Sequence, residues 1–151
     1  MRAAVNPGIQ RLLSLVAILA VGGIAVSSIS LQHHYATSKT QYCDIGEAFN
    51  CDIVNRSEYS TILGTIPVAL IGMLGYGAVL ALSTVYRERR ETPGLIFAGA
   101  VAGLAFALYL TYIEARVLSV WCIMCLSSLA IISAMTVVSG ALWFKSRSGN
   151  L

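Results

Sequence analysis

Four cysteines are the side chains best suited to redox chemistry in this sequence of 151 residues. Cys43 and Cys51 are separated by seven residues, and Cys122 and Cys125 form the short motif Cys-Ile-Met-Cys. A disulfide within a C-x-x-C motif closes too small a loop to add much stability, whereas its chemical reactivity is high. Thiol–disulfide exchange moves two electrons from one pair to another through mixed disulfides. The two pairs therefore predict a two-stage thiol relay.

Two structural alternatives use the same cysteines. The four side chains could form two stabilising disulfides in a non-enzymatic membrane scaffold, or they could bind one zinc ion as thiolates. Zinc is disfavoured because Cys122 and Cys125 lie among apolar residues, where burying a cluster of thiolates is costly. We therefore expect no metal. The reduction potential separates a scaffold from a relay, because structural disulfides usually lie below about −300 mV.

The composition indicates that lipid surrounds the elements that position these cysteines. Hydrophobic residues make up 57% of the chain and charged residues only 11%, whereas an ordinary soluble domain is about a quarter charged. Four stretches contain no Asp, Glu, Lys or Arg, and each reaches the roughly 20 residues that a helix needs to cross a bilayer. The composition also excludes a nucleic-acid binder that works through a basic surface.

We predict an all-α membrane protein, a bundle of four transmembrane helices in a single domain over residues 1–151. The polar segment 32–60 is predicted to be an outer loop with short helical turns, in which Asp52 or Asn55 could cap a brief helix running through Tyr59. Gly99 and Gly103, four residues apart, are predicted to let two helices approach closely. The spans are predicted over about 12–31, 65–86, 94–113 and 120–143. The first is longer than the apolar core of a removable signal, about 7 to 15 residues, so we expect it to be retained.

The distribution of basic residues predicts which side of the membrane each loop occupies. With a cytoplasmic N-terminus, seven basic residues lie on the cytoplasmic side and three on the other, as the positive-inside rule favours. We therefore expect a multi-pass protein of the cell inner membrane, with both termini cytoplasmic and all four cysteines on the periplasmic side, where disulfides form. Glu114 then falls in a short outer turn over 114–119. No predicted span carries a buried ionisable residue, which disfavours a transporter.

The position of the C-x-x-C motif indicates how the relay ends. Cys122 is predicted in the first turn of the fourth span, where helix amides favour the thiolate and lower the pKa of the thiol. The natural two-electron acceptor at the edge of the lipid is a quinone, because quinones dissolve in membranes. No motif in the chain indicates quinone binding by itself, so the quinone is inferred from the location of the motif.

The order of these residues resembles that of the vitamin K epoxide reductase family, over nearly the whole chain. The second span opens with Gly-Thr-Ile-Pro, and Trp-Cys-Ile-Met-Cys opens the fourth. The matching single residues are Cys43, Cys51, Ser57 six residues later, Gly72 and Tyr76. Bacterial members of this family are disulfide-forming quinone reductases. The resemblance implies a four-helix bundle that encloses the quinone and is capped by a helix of the loop.

The resemblance also implies a role for each residue of the site. Cys43 would exchange with a reduced thioredoxin-like partner, and Cys51 would attack the disulfide between Cys122 and Cys125 at Cys122. Cys125 would then adjoin the quinone, ubiquinone or menaquinone, and Ser57 would lie beside the quinone and support it. A local hydrogen bond within the loop is the structural alternative for Ser57.

Two departures from the family pattern bear on the reaction and the partner. Val68 and Leu129 stand where vertebrate members carry an Asn and a Tyr in the quinone pocket, so the bacterial reaction is favoured over epoxide reduction. The thioredoxin-like domain fused to many bacterial members is not in this sequence, so we expect a separate periplasmic partner protein or a longer natural chain. A second class of bacterial disulfide-generating protein also has four spans and uses a quinone. This sequence matches that class less well, because its C-x-x-C comes early in the chain, whereas here the motif is late and opens a span.

Overall fold

The computed structural model describes residues 6–35 and 44–149, which are mostly helical. A π-helical turn, Glu114–Leu118, extends α4 without a break. The helices in chain order are α1 (Pro7–Tyr35), α2 (Cys51–Asn55), a 3-10 helix (Glu58–Ser60), α3 (Val68–Thr84), α4 (Thr92–Ile113) and α5 (Ile123–Ser148). The prediction of an all-α fold is confirmed.

Three helical segments are long and apolar enough to cross a membrane, namely Pro7–Tyr35, Thr92–Leu118 and Ile123–Ser148. The fourth apolar helix, α3, has 17 residues and is therefore about 26 Å long, slightly less than the roughly 30 Å of hydrocarbon in a bilayer. It is shorter than the predicted span 65–86 because Pro67 precedes its first turn with an extended backbone. Among the described residues, three rather than four helices reach spanning length.

The segment between α1 and α3 differs from the predicted loop helix. Asn50 caps α2, and α2 ends at Asn55, so the prediction of one helix through Tyr59 capped by Asp52 or Asn55 is wrong. The helix stops because Ser57 has an extended backbone, with φ −70° and ψ 159°. Two small antiparallel hairpins flank the short helices, with β1 (Asp44–Ile45) paired to β2 (Phe49–Asn50) and β3 (Thr61–Ile62) paired to β4 (Ile66–Pro67).

Helix packing leaves room between α3 and α4. Helix α1 packs against α3 and α5, and α4 packs mainly against α5, whereas α3 and α4 touch only slightly. Gly103 lets α4 approach α5, since a Cβ there would lie 3.2 Å from Ile132 Cδ1. A Cβ at Gly99 would meet none of the described residues within 4 Å, so Gly99 is not part of this close approach. The central core is formed by Leu13, Val16, Ala20, Tyr76, Val79, Ile96, Ala100, Ile132, Met135 and Leu142.

Large apolar side chains also cover the outside of the helices. Ile18 on α1 is 67% exposed, Leu74 on α3 is 66% exposed and Val137 on α5 is 74% exposed. Apolar surface of this extent is typical of a membrane contact. The helices therefore present apolar side chains both to the core and to their surroundings, as a bilayer requires.

Candidate active site

A short backbone bridge holds the loop against the C-x-x-C motif. The N–H of Asn50 donates to the carbonyl of Trp121 at 3.1 Å, and the N–H of Trp121 donates to the carbonyl of Ala48 at 2.9 Å. The two segments thus run parallel, as in a β-bridge. Asn50 and Trp121 directly precede Cys51 and Cys122, so the bridge places these two cysteines next to each other.

The start of α2 fixes the position of Cys51. Asn50 has an extended backbone, and its side-chain oxygen accepts a hydrogen bond from the N–H of Ile53 at 3.1 Å. Asn is among the preferred residues for this capping role because its side chain satisfies an amide that the helix leaves unpaired. Cys51 is the first residue of α2 and is buried. Its position therefore follows from both the cap and the bridge.

The side chains of Cys51, Cys122 and Cys125 form one connected group of sulfur atoms. The Cys122 thiol is hydrogen-bonded to Cys125 on one side and to Cys51 on the other. Cys51 and Cys122 are buried, whereas Cys125 is partly exposed and lines a cavity. Thiol–disulfide exchange requires one sulfur atom to reach another, and the three cysteines pack together in one buried cluster. Cys43 lies outside the described residues.

The predicted lowering of the Cys122 pKa is wrong. Helix α5 begins at Ile123, so Cys122 is the N-cap residue, with φ −108° and ψ 118°, and does not lie in the first turn. The hydrogen bond with Cys125 raises the pKa of the Cys122 thiol above its ordinary value of 9.0, and burial raises it further. The hydrogen bond with Cys51 acts in the opposite direction but is outweighed. Cys122 is therefore held in the thiol form.

A cavity of about 510 Å³ lies beside Cys125. Residues of α1, α3, α4 and α5 line it, and most of them are apolar, including Val68, Phe106, Leu110 and Ile132. Small-molecule sites in proteins usually measure about 300 to 1,000 Å³ and combine an apolar lining with a few placed polar groups. The cavity therefore has the size and character of a site for an apolar small molecule that touches Cys125.

Asn55 supplies the cavity with a polar group that has no partner. The Asn55 side-chain oxygen accepts a hydrogen bond from the Ser30 hydroxyl at 2.9 Å, and His34 Nδ1 donates to the Asn55 backbone carbonyl. The Nδ2 of Asn55 is buried and has no hydrogen-bond partner among the described residues. An unpaired buried donor is costly, so Nδ2 is suited to donate to a ligand oxygen. From the sequence, Asn55 is predicted only as a possible helix cap.

Ser57 is also part of the cavity lining. Its hydroxyl donates to the carbonyl of Val54 at 2.8 Å, which is the local hydrogen bond considered as the structural alternative. The Ser60 hydroxyl in turn donates to the Ser57 carbonyl at 2.7 Å. These bonds hold the chain after α2 in place at the edge of the cavity, with Ser57 close enough to contact a ligand.

Glu114 is the functional candidate that the sequence analysis missed. The chain does not turn there, because α4 continues into the π-helical turn, and Glu114 is only 2% exposed. Its Oε2 accepts a hydrogen bond from the N–H of Cys122 at 3.3 Å, and its carboxylate accepts another from the Cys125 thiol. Its Oε1 is buried and has no partner in the described part of the chain. The expectation of a tight turn over 114–119 is therefore wrong, and the apolar helical segment Thr92–Leu118 does carry a buried ionisable residue, contrary to expectation.

One sequence signal could have indicated Glu114. It is the last acidic residue of the chain, and it follows a long uncharged stretch eight residues before Cys122. An acidic residue that closes an apolar helix near a reactive motif is a reasonable candidate for a buried group. For Asn55 the sequence offers no comparable signal, since a polar residue in a polar loop is unremarkable.

These features define a helical membrane protein with a cluster of cysteines at one end of an apolar cavity. In the ranges that the structure describes, no group of three or more His, Cys, Asp or Glu side chains is arranged to hold a metal ion. The model of the vitamin K epoxide reductase family matches residues 14–140, and the chain belongs to this family. Proteins of the family are membrane oxidoreductases, in general linked to quinones.

Proposed function

We propose that this protein is a membrane thiol oxidoreductase that passes two electrons from a reduced thioredoxin-like protein to a quinone. The Cys43/Cys51 pair takes the electrons from the partner, and the Cys122/Cys125 pair delivers them to ubiquinone or menaquinone. The product on the partner side is a disulfide bond. The role of Cys43 rests on the resemblance described above, since Cys43 lies outside the described residues.

The observation that carries this proposal is a cluster of three cysteines, one of which lines the cavity. Cys122 is hydrogen-bonded to both Cys51 and Cys125, and only Cys125 of the three lines the cavity. This order supports a path that enters at the loop, crosses the buried Cys122 and ends at Cys125. A purely structural disulfide pair has no need of an apolar cavity beside one of its sulfur atoms.

The cavity residues fit a quinone. The apolar lining suits the ring and part of an isoprenoid chain, and the volume of about 510 Å³ is within the range of small-molecule sites. The unpaired Nδ2 of Asn55 could donate to a carbonyl oxygen of the ring, and Ser57 lies in the same lining. A bound quinone supplies a two-electron oxidant, and it takes up two protons when it is reduced to the quinol.

The thiol steps follow from the order of the cysteines. Cys51, reduced by the partner through Cys43, attacks the Cys122–Cys125 disulfide at Cys122 and forms a Cys51–Cys122 bond. The Cys122–Cys125 bond breaks, and the leaving Cys125 sulfur takes up the proton that the Cys51 thiol gives up, so Cys125 becomes a thiol. Attack by Cys43 on Cys51 then restores the Cys43–Cys51 disulfide and leaves Cys122 and Cys125 reduced. When the Cys122–Cys125 disulfide forms again, two electrons leave this pair for the quinone. The sum is one disulfide made in the partner and one quinol.

The proposed location is the cell inner membrane, with four crossings, cytoplasmic termini and the cysteine cluster on the periplasmic side. The placement of basic residues supports this topology. Helix α3, about 26 Å long for 17 residues, is near the lower limit for a transmembrane helix. It can cross the membrane if the bilayer is locally thinner, or if polar side chains next to the helix reach the membrane surface.

The decisive experiment adds a quinone to purified protein in detergent after its cysteines have been reduced and the reductant removed. We expect one quinol for every two thiols lost, with ubiquinone and menaquinone analogues compared in parallel. The Cys125→Ser variant should form no quinol, whereas Cys43→Ser should still form it in a single turnover. Loss of thiols without quinol, or equal activity of Cys125→Ser, would contradict the proposal.

A further inference from the structure

We infer that Glu114 is the proton-transfer group of this site, accepting the thiol proton of Cys125 and passing it to the reduced quinone. This inference rests on the proposed function. Glu114 is a catalytic residue in this scheme because it lines the same cavity as Cys125, and its carboxylate accepts hydrogen bonds from the Cys122 N–H and the Cys125 thiol, one of the reacting groups.

The two carboxyl oxygens of Glu114 differ in their hydrogen bonding. Oε2 accepts a hydrogen bond from the backbone N–H of Cys122 at 3.3 Å, which ties the carboxyl group to the C-x-x-C motif. Oε1 is buried and has no partner among the described residues, and Glu114 lines the cavity. A buried carboxylate oxygen without a partner is costly, so it needs a proton or a donor. The carboxyl group thus connects the thiol to the ligand cavity.

The chemistry of the reaction requires such a group. Oxidation of the Cys122/Cys125 dithiol releases two electrons and two protons, and reduction of a quinone to a quinol consumes two electrons and two protons. The Glu114 carboxylate takes one proton from the Cys125 thiol, the Cys122–Cys125 bond forms as the electron pair leaves, and the Glu114 carboxyl group gives that proton to a quinone oxygen. The Cys122 thiol supplies the second proton. Glu114 ends as a carboxylate, ready for the next cycle.

Glu114 lies within reach of the thiol proton that must move in this step, and it is shielded from water. Glu114 is 2% exposed, and the lining around it is mostly apolar. General acid–base groups act at hydrogen-bond distance from the atoms that they serve, which Glu114 does for Cys125. Its polar neighbours on the adjoining elements are the Cys122 N–H and the Cys125 thiol, both from the start of α5.

The test compares Glu114→Gln with Glu91→Gln in the full-length protein. The Gln side chain keeps an oxygen that can accept the hydrogen bond from the Cys122 N–H, but it cannot take up and release a proton. The variant therefore separates a proton-transfer role from a structural one. We expect kcat for quinol formation to fall about 100-fold in Glu114→Gln, the lower end of the usual effect of a general acid–base group. Glu91, exposed at the start of α4, is the matched control and should show no loss. Reduction of the Cys122–Cys125 disulfide by dithiothreitol should proceed at the wild-type rate in both variants.

A second readout needs no quinone. The infrared difference spectrum between the thiol and disulfide forms should contain carboxyl bands that disappear in Glu114→Gln and persist in Glu91→Gln, because the Cys125 proton is lost on oxidation.

Glu114→Asp, which keeps a shorter carboxyl group, should have an intermediate kcat and covers the case that Glu114→Gln does not fold. Wild-type kcat in both Glu114 variants, or unchanged carboxyl bands, would overturn the inference. Absence of quinol formation by the wild-type protein would instead overturn the proposed function.

Discussion

Asn50 and Trp121 are joined by a backbone hydrogen bond of 3.1 Å, although they are far apart in the chain. Each directly precedes a cysteine, so this bond sets the register in which Cys51 faces Cys122. The register depends on backbone atoms and on the Asn50 cap, and not on the sulfur atoms themselves. The backbone therefore brings the two cysteines together without a bond between their sulfur atoms.

The first prediction concerns the contact between Cys51 and Cys122. With Cys43 and Cys125 replaced by Ser, mild oxidation should trap a Cys51–Cys122 disulfide within one chain, because the two side chains are already hydrogen-bonded. Peptide mapping by mass spectrometry under non-reducing conditions identifies the bond. The same protein with Cys51→Ser is the control. Bonds only between separate chains would show that the two cysteines do not face each other.

The second prediction concerns stability at high pH. The pKa of the Cys122 thiol is raised above 9.0 in the folded protein, so the folded state keeps a proton that the unfolded chain loses. Stability is therefore retained below about pH 9 and decreases as the pH rises beyond it. The thermal midpoint of the reduced protein should decrease more steeply above this pH than that of Cys122→Ser. Parallel curves for the two proteins would contradict the assignment of this titration to Cys122.

The third prediction concerns Asn55 as a ligand donor. Removing one hydrogen bond to a ligand costs about 1 to 1.5 kcal/mol, so Asn55→Ala should raise KM for the quinone about tenfold. Ser30→Ala is the matched control, because it removes the same hydrogen bond to Asn55 but keeps Nδ2. Its KM should rise less. Steady-state kinetics with a soluble quinone analogue measure both values, and equal increases would show that Nδ2 is not the donor.

The fourth prediction concerns the packing of α1 against α3. A Cβ at Gly23 would lie 2.5 Å from the ring of Tyr76, whose hydroxyl is held by Ser128 at 3.0 Å. The ring cannot move without losing that bond, so Gly23→Ala should destabilise the protein by about 1 to 3 kcal/mol. Gly22→Ala is the control, because among the described residues a Cβ there would meet only Ile131, at the ordinary contact distance of 3.8 Å. Thermal unfolding in detergent should show a lower midpoint for Gly23→Ala alone.

Several elements could be predicted because the signal is local. Long uncharged stretches predict apolar helices, since each apolar residue adds to the favourable free energy of placing the segment in lipid. The spacing of Cys122 and Cys125 likewise predicts a reactive pair without knowledge of the fold. The helix ends were less predictable. Cys122 was assigned to the first turn of a helix but is its N-cap residue. The hydrogen bond with Cys125 and burial raise the pKa of its thiol, and neither effect could be predicted from the helix boundary.

The sequence by itself determined that the chain is helical, apolar and equipped with two cysteine pairs in the order of its family. Only the tertiary structure decided which polar groups are buried beside them. Glu114 meets the C-x-x-C motif because α4 continues past the predicted turn, and Asn55 meets Ser30 because α1 packs beside the loop. The physical reason is that composition and periodicity report the average environment of a helix face. Hydrogen bonding of a single buried group depends instead on elements that are distant in the chain and meet only when the helices pack.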